Sequence, residues 1–313
     1  MHAQTQPLPF DATQLAGLSE KLLLSHHQNN YGGAVKRLNA LRDQLAAMPF
    51  SSAPGFQLNG LKREELIATN SMLLHELYFA SLAGGSPPRP AMEPAMEPAM
   101  ALALAASFGS VERWREEFVA MGKAQGGGSG WVLLTFQPRE ATLVNQWAAD
   151  HTHALAGGVP IMALDMYEHA YHMDLGAAAG TYVDAFMVNI DWARVYLRYQ
   201  QAVHAASESL GAAREDAAGA LLLGVRRAGV FEGASAMIPG ARWCDPGAVS
   251  TWAAELPRDR EVVVYCVYGH EVGRSTAMRL RAAGVKARYL EGGIDGWKTA
   301  GRPLVDKPAG GTP

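Results

Sequence analysis

The sequence predicts an α+β chain in two unlike parts: a helical hairpin leading into a mixed α/β unit, then a separate α/β unit built on a parallel sheet. Three observations predict it. Residues 15–47 and 61–82 carry apolar side chains at three- and four-residue steps, the period of an amphipathic helix. The apolar run 159–164 has the length of a buried strand and stops at Asp165. From Ala218 onward short apolar runs alternate with helical patterns, the rhythm of a parallel sheet with crossover helices.

The chain has 313 residues, enough for two domains. Hydrophobic residues make up 49% and charged residues 18%, so ordinary cores can form. A net charge of −3 gives no electrostatic footprint for nucleic acid. No apolar run reaches the roughly 18 residues of a membrane helix, and the start, Met1-His-Ala-Gln-Thr-Gln-Pro, lacks the basic-then-apolar order of a signal peptide. Two cysteines, Cys244 and Cys266, make no disulfide framework, which points to a reducing, cytoplasmic setting.

In the first helical stretch Leu22, Leu23, His26, Asn30, Ala34, Leu38 and Leu41 share the apolar stripe. Gly32-Gly33 costs a helix interior about 1 kcal/mol per glycine, so close helix approach or a local break is expected there. In the second stretch His75 lies among Leu66, Leu73, Leu74, Leu77 and Tyr78. A single histidine on such a face is more often a core residue than a ligand. Residues 84–98 are proline-rich and contain a tandem Ala-Met-Glu-Pro, as a surface spacer would. A helix through Trp114 and Phe118, strands at 131–136 and 140–146, and one closing helix over 181–206 complete the first part.

Asp165-Met-Tyr-Glu-His169-Ala-Tyr follows the apolar run. A carboxylate at a strand end and an imidazole in the next turn can face one ion, and that mixture suits manganese, iron or zinc. This stretch resembles the Asp-x-Trp-Glu-His-Ala-Tyr signature of iron/manganese superoxide dismutases, with Tyr167 in the tryptophan position. Leu-Ser-His26-His27-Gln-Asn-Asn-Tyr and Asn70-Ser-Met-Leu-Leu-His75 resemble the family's first two helices. The resemblance implies an Fe or Mn ion, one per subunit, on His26, His75, Asp165 and His169, and superoxide as substrate. Registration on Leu38-Asn39 selects His26 over His27 as the ligand. It also implies a solvent-orienting role for His151, with His153 as runner-up, and a pocket wall at Trp131. The family's second histidine and its gating tyrosine fall at Asn30 and Ala34, so Tyr31 is the expected partial substitute. The family's two-fold homodimer would use Glu168 against the partner's metal-bound histidine, with Tyr171 on the same surface. Zinc on the same four residues stands as a further possibility.

The last third resembles a rhodanese domain. Met237-Ile-Pro-Gly-Ala matches its His-Ile-Pro-Gly-Ala motif, and Gly292-Gly-x-x-x-Trp297-x-x-x-Gly301-x-Pro303 its closing signature. Cys266, ending the apolar run 261–265, occupies the position of the sulfur-carrying cysteine, with a sulfur donor or acceptor as implied partner. Amides of the following loop would stabilise its thiolate. Glu271 in that loop is expected to raise the thiol pKa and repel anionic donors, and Gly224 stands where the family has aspartate. Sulfur transfer, binding or redox sensing at Cys266 are therefore all open. The expected division is 1–98 for the hairpin and proline-rich connection, 99–206 for the mixed α/β unit, 207–215 for a linker, 216–305 for the second unit and 306–313 for a tail.

Overall fold

The computed structural model describes residues 2–83 and 96–307. Most of the proline-rich connection and the end of the tail lie outside the described residues. A 3-10 turn at Ala12–Gln14 precedes the first helix. The helix begins at Glu20 rather than near residue 15, because the Ser19 hydroxyl accepts from the Leu22 amide and caps it. It runs as α1 (Glu20–Ser25), a π-helical turn (His26–Tyr31) and α2 (Gly32–Ala46). Gly32 and Gly33, where a local break or close helix approach was expected, are regular α-helix; the break is the π turn just before them. The antiparallel partner is α3 (Gly55–Ala80), which packs on α2.

Next come α4 (Pro98–Phe108) and α5 (Val111–Ala124), then a three-stranded antiparallel sheet of order β2-β1-β3. Its strands are β1 (Trp131–Gln137), β2 (Thr142–Ala148) and β3 (Val159–Asp165). Gly130 launches β1 at φ +134°, and any Cβ there would strike the Ala148 carbonyl. Only glycine fits, and the chain then places Trp131 opposite Asp165 in the ladder. A short helix α6 (His172–Leu175) leads to α7 (Ala179–Val188) and α8 (Trp192–Ser207). These two helices replace the single closing helix expected over 181–206. The break has local causes: Ile190 bridges to Leu82, and Asp191 caps α8 by accepting from the Arg194 amide. Arg198 then donates to the carbonyls of Ile161 and Ala80, tying α8 to both the sheet and the hairpin.

The last third is a parallel five-stranded sheet of order β4-β9-β8-β5-β7. Chain order is β4 (Gly211–Ala212), β5 (Leu221–Gly224), α9 (Ala228–Glu232), β6 (Ala236–Met237), β7 (Arg242–Trp243), α10 (Val249–Trp252), β8 (Val262–Tyr265), α11 (Glu271–Ala282), β9 (Ala287–Leu290), α12 (Gly293–Thr299) and β10 (Val305–Asp306). β10 pairs with β6 in a separate two-stranded sheet. Residues 207–215, expected as a linker, instead carry β4, the edge strand against β9. The two units also share packing. Arg279 of α11 reaches the Ala141 carbonyl at 3.1 Å and the Ser107 hydroxyl at 3.3 Å, and Met278 joins the core of the first unit.

Candidate metal centre and cysteine cavity

The π turn supplies the first donor. One extra residue per turn brings Tyr31 round onto the face that carries His26, and both rings pack on Phe79. α3 supplies His75, and the end of β3 supplies Asp165. The 3-10 turn Glu168–Ala170 returns His169 to the same point. One ligand atom from each of these four side chains lies within 4.8 Å of the others. Asp165 Oδ2 is 3.1 Å from His26 Nε2, 3.5 Å from His75 Nε2 and 3.2 Å from His169 Nε2. Such separations suit donors around one cation at about 2.0–2.2 Å.

The electrostatics support the same fit. Burial pushes His26 below the usual imidazole range, and it takes His75 down to about 3. Both rings therefore stay neutral with lone pairs available. Burial alone would raise Asp165, but the surrounding imidazoles outweigh it and hold the carboxyl well below the usual carboxylate range. A fully buried carboxylate needs compensation, and a metal ion among these donors would provide it. The His75 Nδ1 proton is donated to the Ser71 carbonyl at 2.6 Å, so Nε2 faces the cluster as acceptor. His27 instead turns to the Gln6 carbonyl at 2.8 Å, outside the cluster.

Aromatic rings wall the cluster. Trp131 meets His75 edge-on at 5.3 Å, and Tyr167 is stacked between His151 and His169. Trp131 Nε1 donates to His151 Nδ1 at 3.0 Å. This bond fixes the His151 tautomer, leaving Nε2 as the protonated nitrogen. Burial keeps that ring neutral. His153 is further out, accepting from the Ala149 amide and stacked on Trp147. Tyr31 lies 6.5 Å from His75 by ring centres. Its hydroxyl accepts from the Gln6 amide and donates to Glu76, and burial raises it to about 12. Tyr171, expected on the same surface as Glu168, is instead buried, its ring stacked on Tyr182 of α7. Glu168 is exposed.

Sequence reasoning missed Tyr78 and Tyr182, whose hydroxyls bond each other behind His26. It also missed Glu76 as the partner of Tyr31. Glu76 adjoins His75 on a helix, a neighbourhood that could have been searched.

At the second site, Cys266 directly follows β8, is 6% exposed and lines a cavity of about 200 Å³. Burial raises its thiol pKa, while amides of Gly273, Gly269, His270 and Tyr268 oppose the rise. The expected Glu271 is not among the leading causes. Its two carboxylate oxygens accept from Tyr196 at 2.7 Å and Gln200 at 3.0 Å, both on α8. Gly224 also has a physical account. The Tyr265 ring and hydroxyl occupy the space a side chain would need, and that hydroxyl takes the Ile238 amide.

The chain is 60% identical over 200 residues to an iron superoxide dismutase of Cupriavidus metallidurans, covering 64% of this chain and 98% of that protein. The chain belongs to the iron/manganese superoxide dismutase family. The family profile "Iron/manganese superoxide dismutases, C-terminal domain" matches residues 96–198, and "Rhodanese-like domain" matches 207–300. A manganese superoxide dismutase of Halobacterium salinarum is 35% identical over 200 residues, covering 63% of this chain and 94% of its own length. An iron superoxide dismutase of Aquifex aeolicus is 30% identical over 197 residues, covering 61% and 88%. This dismutase-family chain thus carries a rhodanese-like domain beyond the length of these relatives. Among the described residues no helix is long and apolar enough to cross a membrane.

Proposed function

We propose that the protein dismutates superoxide at a mononuclear iron or manganese held by His26, His75, Asp165 and His169. The convergence of one buried carboxylate and three imidazoles carries this reading. In the balanced reaction two superoxides and two protons give dioxygen and hydrogen peroxide. The bound ion would supply the one-electron couple, accepting an electron from one superoxide and passing it to the next. The chain supplies the rest. One carboxylate and three neutral rings keep the site's charge low enough to hold the ion and still admit an anion. Of the four donors only His169 is partly exposed, its side chain 26% exposed while Asp165 is fully covered. His151, its tautomer set by Trp131, offers an Nε2 proton toward the solvent or substrate beside the cluster. Tyr31 holds its proton at ordinary pH and shares it with Glu76, beside His75.

Elemental analysis with EPR on the purified protein, wild type and with single alanines at the four donors, tests this. Iron or manganese near one per chain, lost in each variant, is expected. Zinc in the wild type, which the same donors could also hold, or full occupancy in His26→Ala would overturn the assignment.

The subunits pair about a two-fold axis, with Glu168 bracing the partner's His169 from its outer nitrogen; an exposed carboxylate in that turn supports it. We place the boundary between the two units at the end of α8, because β4 already belongs to the second sheet. The rhodanese-like unit handles a sulfur donor or acceptor at Cys266, supported by the cavity at that thiol. Both cysteines are free, in keeping with a cytoplasmic setting.

A further inference from the structure

The cavity at Cys266 is not made by the rhodanese-like unit alone. Ala99 of α4 and Tyr196 of α8, both from the dismutase part of the chain, line it together with Arg226, Arg227 and Glu271. Glu271 is the first residue of α11, the helix whose leading amides, with those of the loop before it, surround the Cys266 sulfur. It is only 5% exposed. A carboxylate so placed would oppose both a thiolate and an arriving anion. Yet both of its oxygens are engaged, one by the Tyr196 hydroxyl and the other by the Gln200 amide. Burial and the adjoining Glu271 raise the Tyr196 phenol above its ordinary range, so it remains a donor at ordinary pH. Across the cavity, Arg226 is 4% exposed, donates to the Ala236 carbonyl, and has its Nε without a partner.

We propose that Tyr196 and Gln200 of the dismutase part form a clamp on Glu271 that makes the Cys266 cavity receptive to small anions. The two residues are positioning residues: they act on the reacting thiol only through Glu271. This rests on the reading that Cys266 is the working sulfur of the second domain. It explains how a carboxylate can stand beside a cysteine in an anion-accepting loop, and why the two domains are packed in one chain. The restricted cavity favours a low-molecular-weight anionic sulfur compound over the exposed cysteine of a partner protein.

The test compares alkylation of Cys266 by iodoacetate, an anion, and iodoacetamide, its neutral counterpart, in the full-length protein, with modification located by peptide mass. Both reagents form the same sulfur–carbon bond and expel iodide, so the ratio of their rates reports charge in the cavity. Tyr196→Phe removes one hydroxyl with little change of shape. It is expected to lower the iodoacetate-to-iodoacetamide ratio by about threefold or more, as a carboxylate released toward the thiol would. Adding Glu271→Gln should abolish that effect. A ratio unchanged by Tyr196→Phe, or lowered equally in the presence of Glu271→Gln, would overturn the clamp. Failure of the underlying reading looks different: wild-type Cys266 would resist both reagents.

Discussion

Replacing Trp131 by phenylalanine isolates the bond that sets the His151 tautomer. Trp131 is fully buried at the start of β1, and its indole nitrogen donates to His151 Nδ1 at 3.0 Å. Losing a bond of this kind costs about 0.5–1.5 kcal/mol. The smaller ring leaves a void of roughly 40 Å³, which at about 24 cal/mol per Å³ adds about 1 kcal/mol. Together that is about 2 kcal/mol, or a fall in Tm of about 4–8 °C for a domain of this size. Such a loss leaves the four donors in place, because none of them is anchored by the indole nitrogen. The functional consequence is separate. Without the indole proton, a neutral His151 can place its hydrogen on either nitrogen, and the site loses a preset donor. General acid–base assistance is worth about 10²–10⁴ in rate, so a partial loss predicts turnover per bound metal down about tenfold. Superoxide decay after pulse radiolysis, scaled to metal measured on the same sample, reads this directly. Full turnover per metal with only a lower Tm would refute the tautomer argument and leave Trp131 as packing alone.

Tyr31→Phe should retain metal but lower turnover several-fold, since it removes the proton shared with Glu76; the same radiolysis assay reads it, and unchanged turnover would make Tyr31 a wall only. For Cys266, burial favours the neutral thiol, so the thiolate is scarcer at pH 7 than for a free cysteine and forms as pH rises past the usual thiol pKa of about 8.5. Iodoacetamide rates against pH should therefore reach their midpoint above that value, and a midpoint below it would mean the surrounding amides outweigh burial. Glu168→Ala should weaken the dimer in sedimentation and lower metal content together; if both hold at wild-type values, the bracing role of Glu168 is excluded.

The four candidate donors, which the structure brings together, were legible in the sequence chiefly through the family resemblance, with support from pattern. His26 and His75 lie on apolar helix faces, and Asp165 ends a strand whose length could be read directly. What was not legible depends on geometry that periodicity cannot carry. Tyr31 comes onto the His26 face only through the π turn, and a reading at 3.6 residues per turn puts it elsewhere. The break between α7 and α8 did leave a local sign, an aspartate three residues before Arg194 in capping position, which the longer apolar pattern masked. Edge strand β4 has two residues, too few for any pattern, and exists because β9 offers it a ladder. The partners of Glu271 lie 75 and 71 residues away in sequence, on another domain. From the loop alone its charge could only be assigned to Cys266.

The bracing of the imidazoles is uneven, and the unevenness has a direction. Ser71 fixes His75 from behind, and Trp131 fixes His151, both from within the chain. His26 is held by packing between Tyr78 and Phe79, and its Nδ1 has no polar partner among the described residues. His169 differs from the other donors: it is partly exposed, on a three-residue turn, with Glu168 exposed beside it. A ligating ring usually needs its outer nitrogen held to keep its aim. For His169 that support must come from solvent or from a second subunit. A solvent-braced ring on a short turn would make this the softest of the four ligands, so His169→Ala and Glu168→Ala should converge on the same loss of metal. If instead Glu168→Ala spares the metal while His169→Ala removes it, solvent is sufficient and the two-fold contact is not what completes the site.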